Sequence, residues 1–136
     1  FFQDCIIESL SNSYITAAST TEHEAYGFVF HKCNLVAADA NVNKVFLGRP
    51  WRPYAKTVFI ECGLGSHITS KGWDPWAGDK NFVDKHKTAY YAEYKNNGAG
   101  ANDLSQRVEW SHQLTDAEAT QYTINTIFKG WNPLSK

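Results

Sequence analysis

The sequence predicts an all-β chain of the solenoid type, and three observations lead there. Phe2-Gln3-Asp4-Cys5-Ile6-Ile7, Phe30-His31-Lys32-Cys33-Asn34-Leu35 and Phe59-Ile60-Glu61-Cys62-Gly63-Leu64 align with Phe three before each Cys and Ile or Leu two after it, the cysteines lying 28 and then 29 residues apart. Repeats of about 20–50 residues mark solenoids, in which each unit buries its apolar face only against its neighbours. Each unit is also a short run rich in Phe, Val and Ile bounded by Gly, Asn, Ser or Pro, which argues for strands rather than helical repeats. Period-two alternation then puts the cysteines with Ile7, Leu35 and Leu64 on one face, and Asp4, Lys32 and Glu61 on the other.

Taken in order, the elements follow from local chemistry. The Phe2–Ile7 strand is followed by a polar turn over Ser9–Ser13, a short strand at Tyr14-Ile15-Thr16-Ala17, and a second polar turn over Ser19–Glu24. The strand-type run around Phe30–Leu35 leads through a loop at Ala37–Lys44 into the apolar run Val45-Phe46-Leu47. That run is expected to end at Gly48, leaving Arg49 on a loop. After Phe59–Leu64, the stretch Ser70–His86 is the longest insertion, and its Trp73, Trp76 and Phe82 argue for a functional loop rather than disorder. A weaker fourth repeat lies at Tyr91-Ala92-Glu93-Tyr94, with Tyr94 in the cysteine place. Asn96–Asp103, rich in Gly and Asn, is expected to wander. Thr115-Asp116-Ala117-Glu118 is a capping box, so a helix should run from about Asp116 to about Phe128 before Gly130 and Pro133 stop it, covering an edge or side of the solenoid.

One consequence of this pattern is awkward. Strict alternation places Phe2, Phe30 and Phe59 on the charged face unless a bulge intervenes or another segment covers them. The cysteines fall on the interior face and should stack there as small hydrophobes. Being odd in number, they cannot all pair within the chain.

Composition bounds the function. The 136 residues suffice for one domain with a core, residues 1–136. A net charge of −1 gives no global attraction to nucleic acid or to anionic membranes, and no apolar run approaches the ~18 residues of a membrane span. With 43% hydrophobic and 15% aromatic residues, the chain is globular in class. It contains no methionine and opens in mid-strand, so a processed chain or a piece of a longer one is expected. His23, His31, His67, His86 and His112 are scattered without metal-ligand spacing, and Asp74, Asp79 and Asp84 share a loop without EF-hand spacing, so no metal or other cofactor is expected.

The stretch that carries chemistry is Val45-Phe46-Leu47-Gly48-Arg49-Pro50-Trp51-Arg52-Pro53-Tyr54. Pro50 and Pro53 fix their own φ and push the preceding residue toward extended conformations, so Arg49 and Arg52 are held with little backbone entropy left to lose. A guanidinium so held is a rigid fork of donors suited to a carboxylate, and Trp51 offers a flat apolar face. An Arg-Pro-Trp string alone is more often a surface turn than a site.

Leu47-Gly48-Arg49-Pro50-Trp51 resembles the LGRPW signature of pectin methylesterases, carbohydrate esterases that remove methyl groups from pectin. Further pieces fall in that family's order: Phe2-Gln3-Asp4-Cys5 resembles its VFQNC strand, Tyr14-Ile15-Thr16-Ala17 its ITA segment, and Gly72-Trp73-Asp74-Pro75-Trp76 its GW-x-x-W segment. Tyr91-Ala92-Glu93-Tyr94 with Asn97-Gly98-Ala99-Gly100-Ala101 resembles the YxEYxNxGPGA run, and Trp110 with Leu114–Ala119 the closing W…L…EA stretch.

The resemblance implies the C-terminal half of a right-handed parallel β-helix with a C-terminal helix packed on it, from a secreted (extracellular or periplasmic) pectinesterase. It implies pectin as the partner, an aspartate nucleophile, a second aspartate as acid/base, and a glutamine in the oxyanion hole. Those three belong to QDTL- and DFIFG-type motifs, and neither occurs here. What remains, by resemblance, is Arg49 to grip the nucleophilic carboxylate, Trp51 and Trp76 against the sugar chain, and Tyr54 and Ala17 as weaker contacts. Trp73 is the structural anchor of its pair. Arg49, Arg52 and Lys56 form a positive stretch suited to de-esterified pectin. Two other readings stand beside this one: a non-catalytic carbohydrate-binding β-solenoid, and a related esterase or thioesterase. A half-solenoid also exposes a broken strand edge through which copies could self-associate.

Overall fold

The computed structural model describes residues 1–135. Its strands are β1 (Phe2–Gln3), β2 (Ile6–Ser9), β3 (Tyr14–Ala18), β4 (Phe28–His31), β5 (Asn34–Ala37), β6 (Phe46–Pro50), β7 (Lys56–Ile60), β8 (Gly63–Leu64), β9 (Tyr90–Tyr94) and β10 (His112–Gln113). They build three parallel sheets, ordered β1-β4-β7-β9-β10, β2-β5-β8 and β3-β6. The first two turns of chain each give one strand to each sheet in succession, later turns continue the first two sheets and reach the third through bridges at Ile68 and Trp73, and the result is a right-handed parallel β-helix.

The repeat read from sequence is the register of the rungs. Phe2 pairs with Phe30 and Phe30 with Phe59, while Ile7 pairs with Leu35 and Leu35 with Leu64. The three Phe rings stack with centroids 4.6 and 4.5 Å apart and interplanar angles of 8°, with Phe30 and Phe59 buried inside the coil. Each ring buried in this way contributes about 1.5–3 kcal/mol from area alone, with roughly 0.5–1.5 kcal/mol more from the aromatic pairing.

The awkward placement of the phenylalanines resolves without a bulge. Asp4, Lys32 and Glu61 adopt left-handed backbone, with φ of 53°, 54° and 51°, and so does Lys95 at 46°. One left-handed residue between two strands turns the chain by a corner and resets the alternation, so Phe30 and Phe59 point inward on one side of it and Cys33 and Cys62 on the other. Non-glycine residues resist this conformation, and the parallel ladder holds it: the amides of Asp4, Lys32 and Glu61 donate to the carbonyls of His31, Ile60 and Tyr94 at 3.0, 2.9 and 2.8 Å.

Cys5, Cys33 and Cys62 are free and stacked. Burial raises the Cys33 thiol and pushes Cys62 up to about 12, so both pack as small apolar groups with weak S–H donation to backbone carbonyls.

Three expectations are corrected. In the fourth rung Glu93, not Tyr91, pairs with Phe59, and Tyr94 pairs with Ile60. Asn96 therefore follows the left-handed corner where a cysteine stands below, and its side-chain carbonyl accepts the Cys62 amide at 2.9 Å. The Asn96–Asp103 stretch does not wander. Asn97 bridges to Gly63, a 3₁₀ turn spans Ala99–Ala101, and Gly98, at φ 87°, lies so close to the Leu64 carbonyl that a Cβ there would sit 2.6 Å from it.

The C-terminal helix is also broken. The capping box forms, with the Glu118 amide donating to Thr115 Oγ1 and the Thr115 amide to Glu118 Oε2. The α-helix α1 (Asp116–Ala119) then tightens to a 3₁₀ turn at Thr120–Tyr122 and stops at Thr123, which is extended at ψ 155° and caps a second short helix, α2 (Ile124–Ile127). Threonines at 120, 123 and 126 offer the backbone competing side-chain bonds, which favours caps over a continuous helix. The pieces cover a side of the solenoid: Tyr122 packs on Val58, Ile60, Ala92 and Leu114, and Tyr26 donates to the Gln121 carbonyl. No helix among the described residues is long and apolar enough to cross a membrane.

Candidate functional site

Strand β6 runs through Pro50 rather than ending at Gly48, so Arg49 is a strand residue rather than a loop residue. Pro50 is tolerated because it closes the strand, and the ladder passes to the Trp51 amide, which donates to the Ala18 carbonyl at 2.9 Å. Arg49 pairs with Ala17 on the neighbouring rung. Ala17 is exposed, so the surface beside Arg49 is open on that side.

Gly48 has a packing role. A Cβ there would sit 2.2 Å from Thr16 Oγ1 and 3.2 Å from the Trp73 ring. Trp73 is 1% exposed, stacks on Tyr91 at 4.5 Å and leans on Phe59. It is the structural anchor expected, and it fixes the start of the long loop against the coil.

Arg49 sits in an aromatic cage. Its Cζ lies 3.6 Å from the ring centroid of Trp76, 4.7 Å from that of Tyr14 and 5.3 Å from that of Trp51. Each such contact is worth about 0.5–2 kcal/mol, more as water is excluded. The guanidinium Nε and Nη1 are buried with no hydrogen-bond acceptor. Among the described residues no carboxylate forms an ion pair with Arg49. Buried charged donors without partners are costly, and a planar carboxylate is the group whose geometry matches the guanidinium fork.

Next to the cage, Trp51, 47% exposed, and Trp76 line a groove of about 360 Å³ with Arg52, Gly78, Asp79, Lys80 and Asn81. Lys85 underpins it. Its fully buried ammonium bonds Asp79 at 2.6 Å and the Trp51 carbonyl at 3.3 Å, tying the long loop to the turn after β6. Lys85 and the Asn81 amide hold the Asp79 carboxyl below its usual range. Arg52 lies 4.7 Å over the Phe82 ring. The positive stretch read from sequence divides: Arg49 is caged, Arg52 faces the groove, and Lys56 instead donates to the Glu24 carbonyl. Tyr54, at φ 64° with its amide on Thr88 Oγ1, takes no part in the cage or the groove lining.

Sequence reasoning missed two members of the cage region. Tyr14 hydrogen-bonds Asp74 Oδ2 at 2.9 Å across three rungs. Burial, then the bond to Asp74, raises the Tyr14 pKa, so the phenol remains a donor. Asp74 Oδ1 accepts the Trp76 amide at 2.7 Å, an Asx turn, and its position two residues before Trp76 was the signal available for it. The three aspartates of this loop are each engaged by protein groups, and no cluster of potential metal ligands occurs among the described residues.

The family model described as Pectinesterase matches residues 1–131. Putative pectinesterase 11 from Arabidopsis thaliana is 42% identical over 132 residues, covering 95% of this chain and 35% of its own. Pectinesterase 2 from Citrus sinensis is 35% identical over 133 residues, covering 90% of this chain and 25% of its own. Among solved structures, a pectin methylesterase in complex with a hexasaccharide superposes with a TM-score of 0.78 at 29% identity, over 99% of this chain and 46% of that one. The pectin methylesterase from carrot gives 0.79 at 31%, over 94% and 43%. The chain thus spans about a quarter to a third of these curated relatives and just under half of these solved ones.

Proposed function

The chain belongs to the Pectinesterase family, and we propose that it is the C-terminal part of a pectinesterase β-helix domain, supplying one wall of an ester-hydrolysing cleft in a secreted enzyme acting on pectin. The observation that carries this reading is the Arg49 guanidinium, caged by three aromatic rings with two buried N–H groups lacking an acceptor, beside an exposed Trp51 face.

The chemistry follows. By family resemblance, an aspartate carboxylate outside this sequence attacks the carbonyl carbon of a galacturonate methyl ester. The tetrahedral oxyanion collapses, methanol leaves with a proton from a second aspartate, and water hydrolyses the acyl-enzyme to free acid. Arg49 holds the nucleophile ionised and oriented: a cation within ~4–6 Å lowers a carboxylate's pKa by about 1–3 units. Trp51 and Trp76 present rigid faces to the apolar sides of the sugar rings, with Ala17 leaving the wall low beside Arg49. Arg52 and Lys80, with Asp79 neutralised by Lys85, give the adjoining groove a positive lining suited to de-esterified units. Tyr54 remains a weaker candidate contact.

A second reading is a pectin-binding solenoid without turnover, which would need only the Trp51 and Trp76 faces; the pectinesterase relatives do not favour it. The test is methanol release from highly methylated pectin by the natural full-length chain, with pectin binding measured in parallel. Methanol release supports the esterase; binding without methanol supports the binding solenoid. Self-association through the first rung is tested by light scattering over a concentration series, where a monomer throughout refutes it.

A further inference from the structure

We propose that Asp74 is the positioning residue of the Arg49 cage: one carboxylate that, by holding Tyr14 and Trp76, keeps the guanidinium aimed at its anion. The inference deepens the esterase reading above and rests on it for its catalytic consequence, although its structural half is testable without turnover.

The argument begins with what Asp74 joins. Its amide donates to the Gly48 carbonyl at 3.0 Å, placing it on the next rung from Arg49 in the third sheet. Its Oδ2 accepts the Tyr14 hydroxyl at 2.9 Å and its Oδ1 the Trp76 amide at 2.7 Å. A single residue therefore ties strand β3, strand β6 and the long loop together, the first and last through its carboxylate and β6 through its amide. Both oxygens are used on groups that themselves touch Arg49, and neither is spent on Arg49.

Both held groups need holding. Trp76 has φ 53°, the left-handed region that a bulky residue resists. Its amide bond to Asp74 closes the Asx turn that keeps it there, with its ring 3.6 Å from the Arg49 Cζ. The Tyr14 ring stacks on Phe46 at 5.6 Å and meets Trp76 edge-on at 5.8 Å. Its hydroxyl bond to Asp74 is its one polar anchor among the described residues. Releasing Asp74 would let Trp76 relax to ordinary backbone and free Tyr14 to rotate, and two of the three faces around Arg49 would go.

The division of labour also fits the electrostatics. An acid bonded directly to Arg49 would neutralise it and occupy the fork. Asp74 does neither: each of its oxygens accepts one hydrogen bond, from Tyr14 and from the Trp76 amide, and no ion pair joins it to Arg49 among the described residues, so the guanidinium stays open to an incoming carboxylate. Asp74 is thus a positioning residue acting through two aromatic side chains, and it touches no reacting atom.

The test uses the natural full-length chain with isotope-labelled arginine. The Arg49 Nε–H resonance is identified by its loss in Arg49→Lys, and ring currents from the cage should move it well away from exposed arginines. In Asp74→Ala it should shift most of the way back to the exposed position. Tyr14→Phe, which keeps the ring and loses the hydroxyl, should shift it in the same direction by less, and Asp74→Asn should retain most of the wild-type shift by keeping a carbonyl for the Trp76 amide. Methanol release should fall on the order of 10- to 100-fold in kcat for Asp74→Ala, with KM raised as the Trp76 face is lost, and both should recover largely in Asp74→Asn. A resonance unmoved in folded Asp74→Ala overturns the proposal. Should that variant fail to fold, an unmoved resonance in Tyr14→Phe does the same. A resonance that moves while no form releases methanol supports the positioning role and counts against the esterase reading alone.

Discussion

Replacing Arg107 with Met removes the charge that balances a carboxylate inside the coil, and the cost can be worked from the structure. Glu93 occupies the rung position where Phe59 stands below it, 1% exposed in its side chain, and Arg107 is 5% exposed. The pair is bidentate: Arg107 Nε donates to Glu93 Oε2 at 2.7 Å and Nη2 to Oε1 at 3.1 Å. Arg107 also donates to the carbonyls of Thr69, Ser70 and Gly100. After Arg107→Met, Glu93 keeps only the longer bonds from Asn96 and Gln113, at 3.3 and 3.4 Å. Breaking a buried pair from one side costs about 3–5 kcal/mol, and at a urea slope of ~2 kcal/mol/M this lowers the unfolding midpoint by on the order of 2 M. The double variant with Glu93→Gln should be less destabilised than the sum of the two singles by at least about 2 kcal/mol. Since Arg107 holds the base of the loop that bears Trp76, pectin binding should weaken as well. Urea unfolding followed by Trp fluorescence reads the result, and a loss below about 1 kcal/mol for Arg107→Met would refute the assignment of Glu93 and Arg107 as a buried, mutually dependent pair.

The remaining predictions concern other links of the same structure. Phe59→Ala, in the middle of the stacked ladder, should cost about 3–5 kcal/mol in the same unfolding assay. Thr115→Ala should cost about 1 kcal/mol through loss of the capping box, leaving methanol release unchanged. The Asp79 carboxyl is held low by Lys85, so its contribution to stability is complete above the unfolded carboxylate range near pH 4 and is lost as pH falls through the depressed folded value; Asp79→Asn should therefore flatten the acid limb of the stability profile below pH 4. With its pKa pushed up to about 12, Cys62 should resist thiol reagents at pH 8 in the folded chain and react on unfolding in urea.

Much of the fold was legible because a β-helix repeats its chemistry once per turn. Phe30, Cys33 and Leu35 predict their partners 29 residues on, since side chains that stack must match in size and apolarity. The fourth rung was misread because the long loop stretches that interval to 34 residues, from Phe59 to Glu93, and the aromatic Tyr94 imitates a core residue two places too early. The corners at Asp4, Lys32 and Glu61 were illegible for a different reason. The sequence carries no glycine there, and the ladder on both sides, rather than local preference, fixes the left-handed backbone. Threonines 120, 123 and 126 could have flagged the broken helix, but the capping box, with Gly130 and Pro133 as the next stops, outweighed them. At the candidate site, Arg49 and Trp51 stand out in a cluster of prolines and aromatics, but it was the resemblance to the LGRPW and GW-x-x-W segments that made them and Trp76 candidates. Tyr14 and Asp74 come from separate rungs 60 residues apart, and only folding brings them to the same guanidinium.

The most direct measurement is the methanol released from highly methylated pectin by the natural full-length chain and by its Arg49→Lys variant, with both unfolding midpoints recorded. Lysine keeps the charge and loses the fork. If Arg49 orients a nucleophilic carboxylate, turnover should fall by at least about 100-fold while the midpoint and pectin binding hold. Turnover within a few-fold of the parent chain, or no methanol from either form, would contradict the reading of this cleft wall.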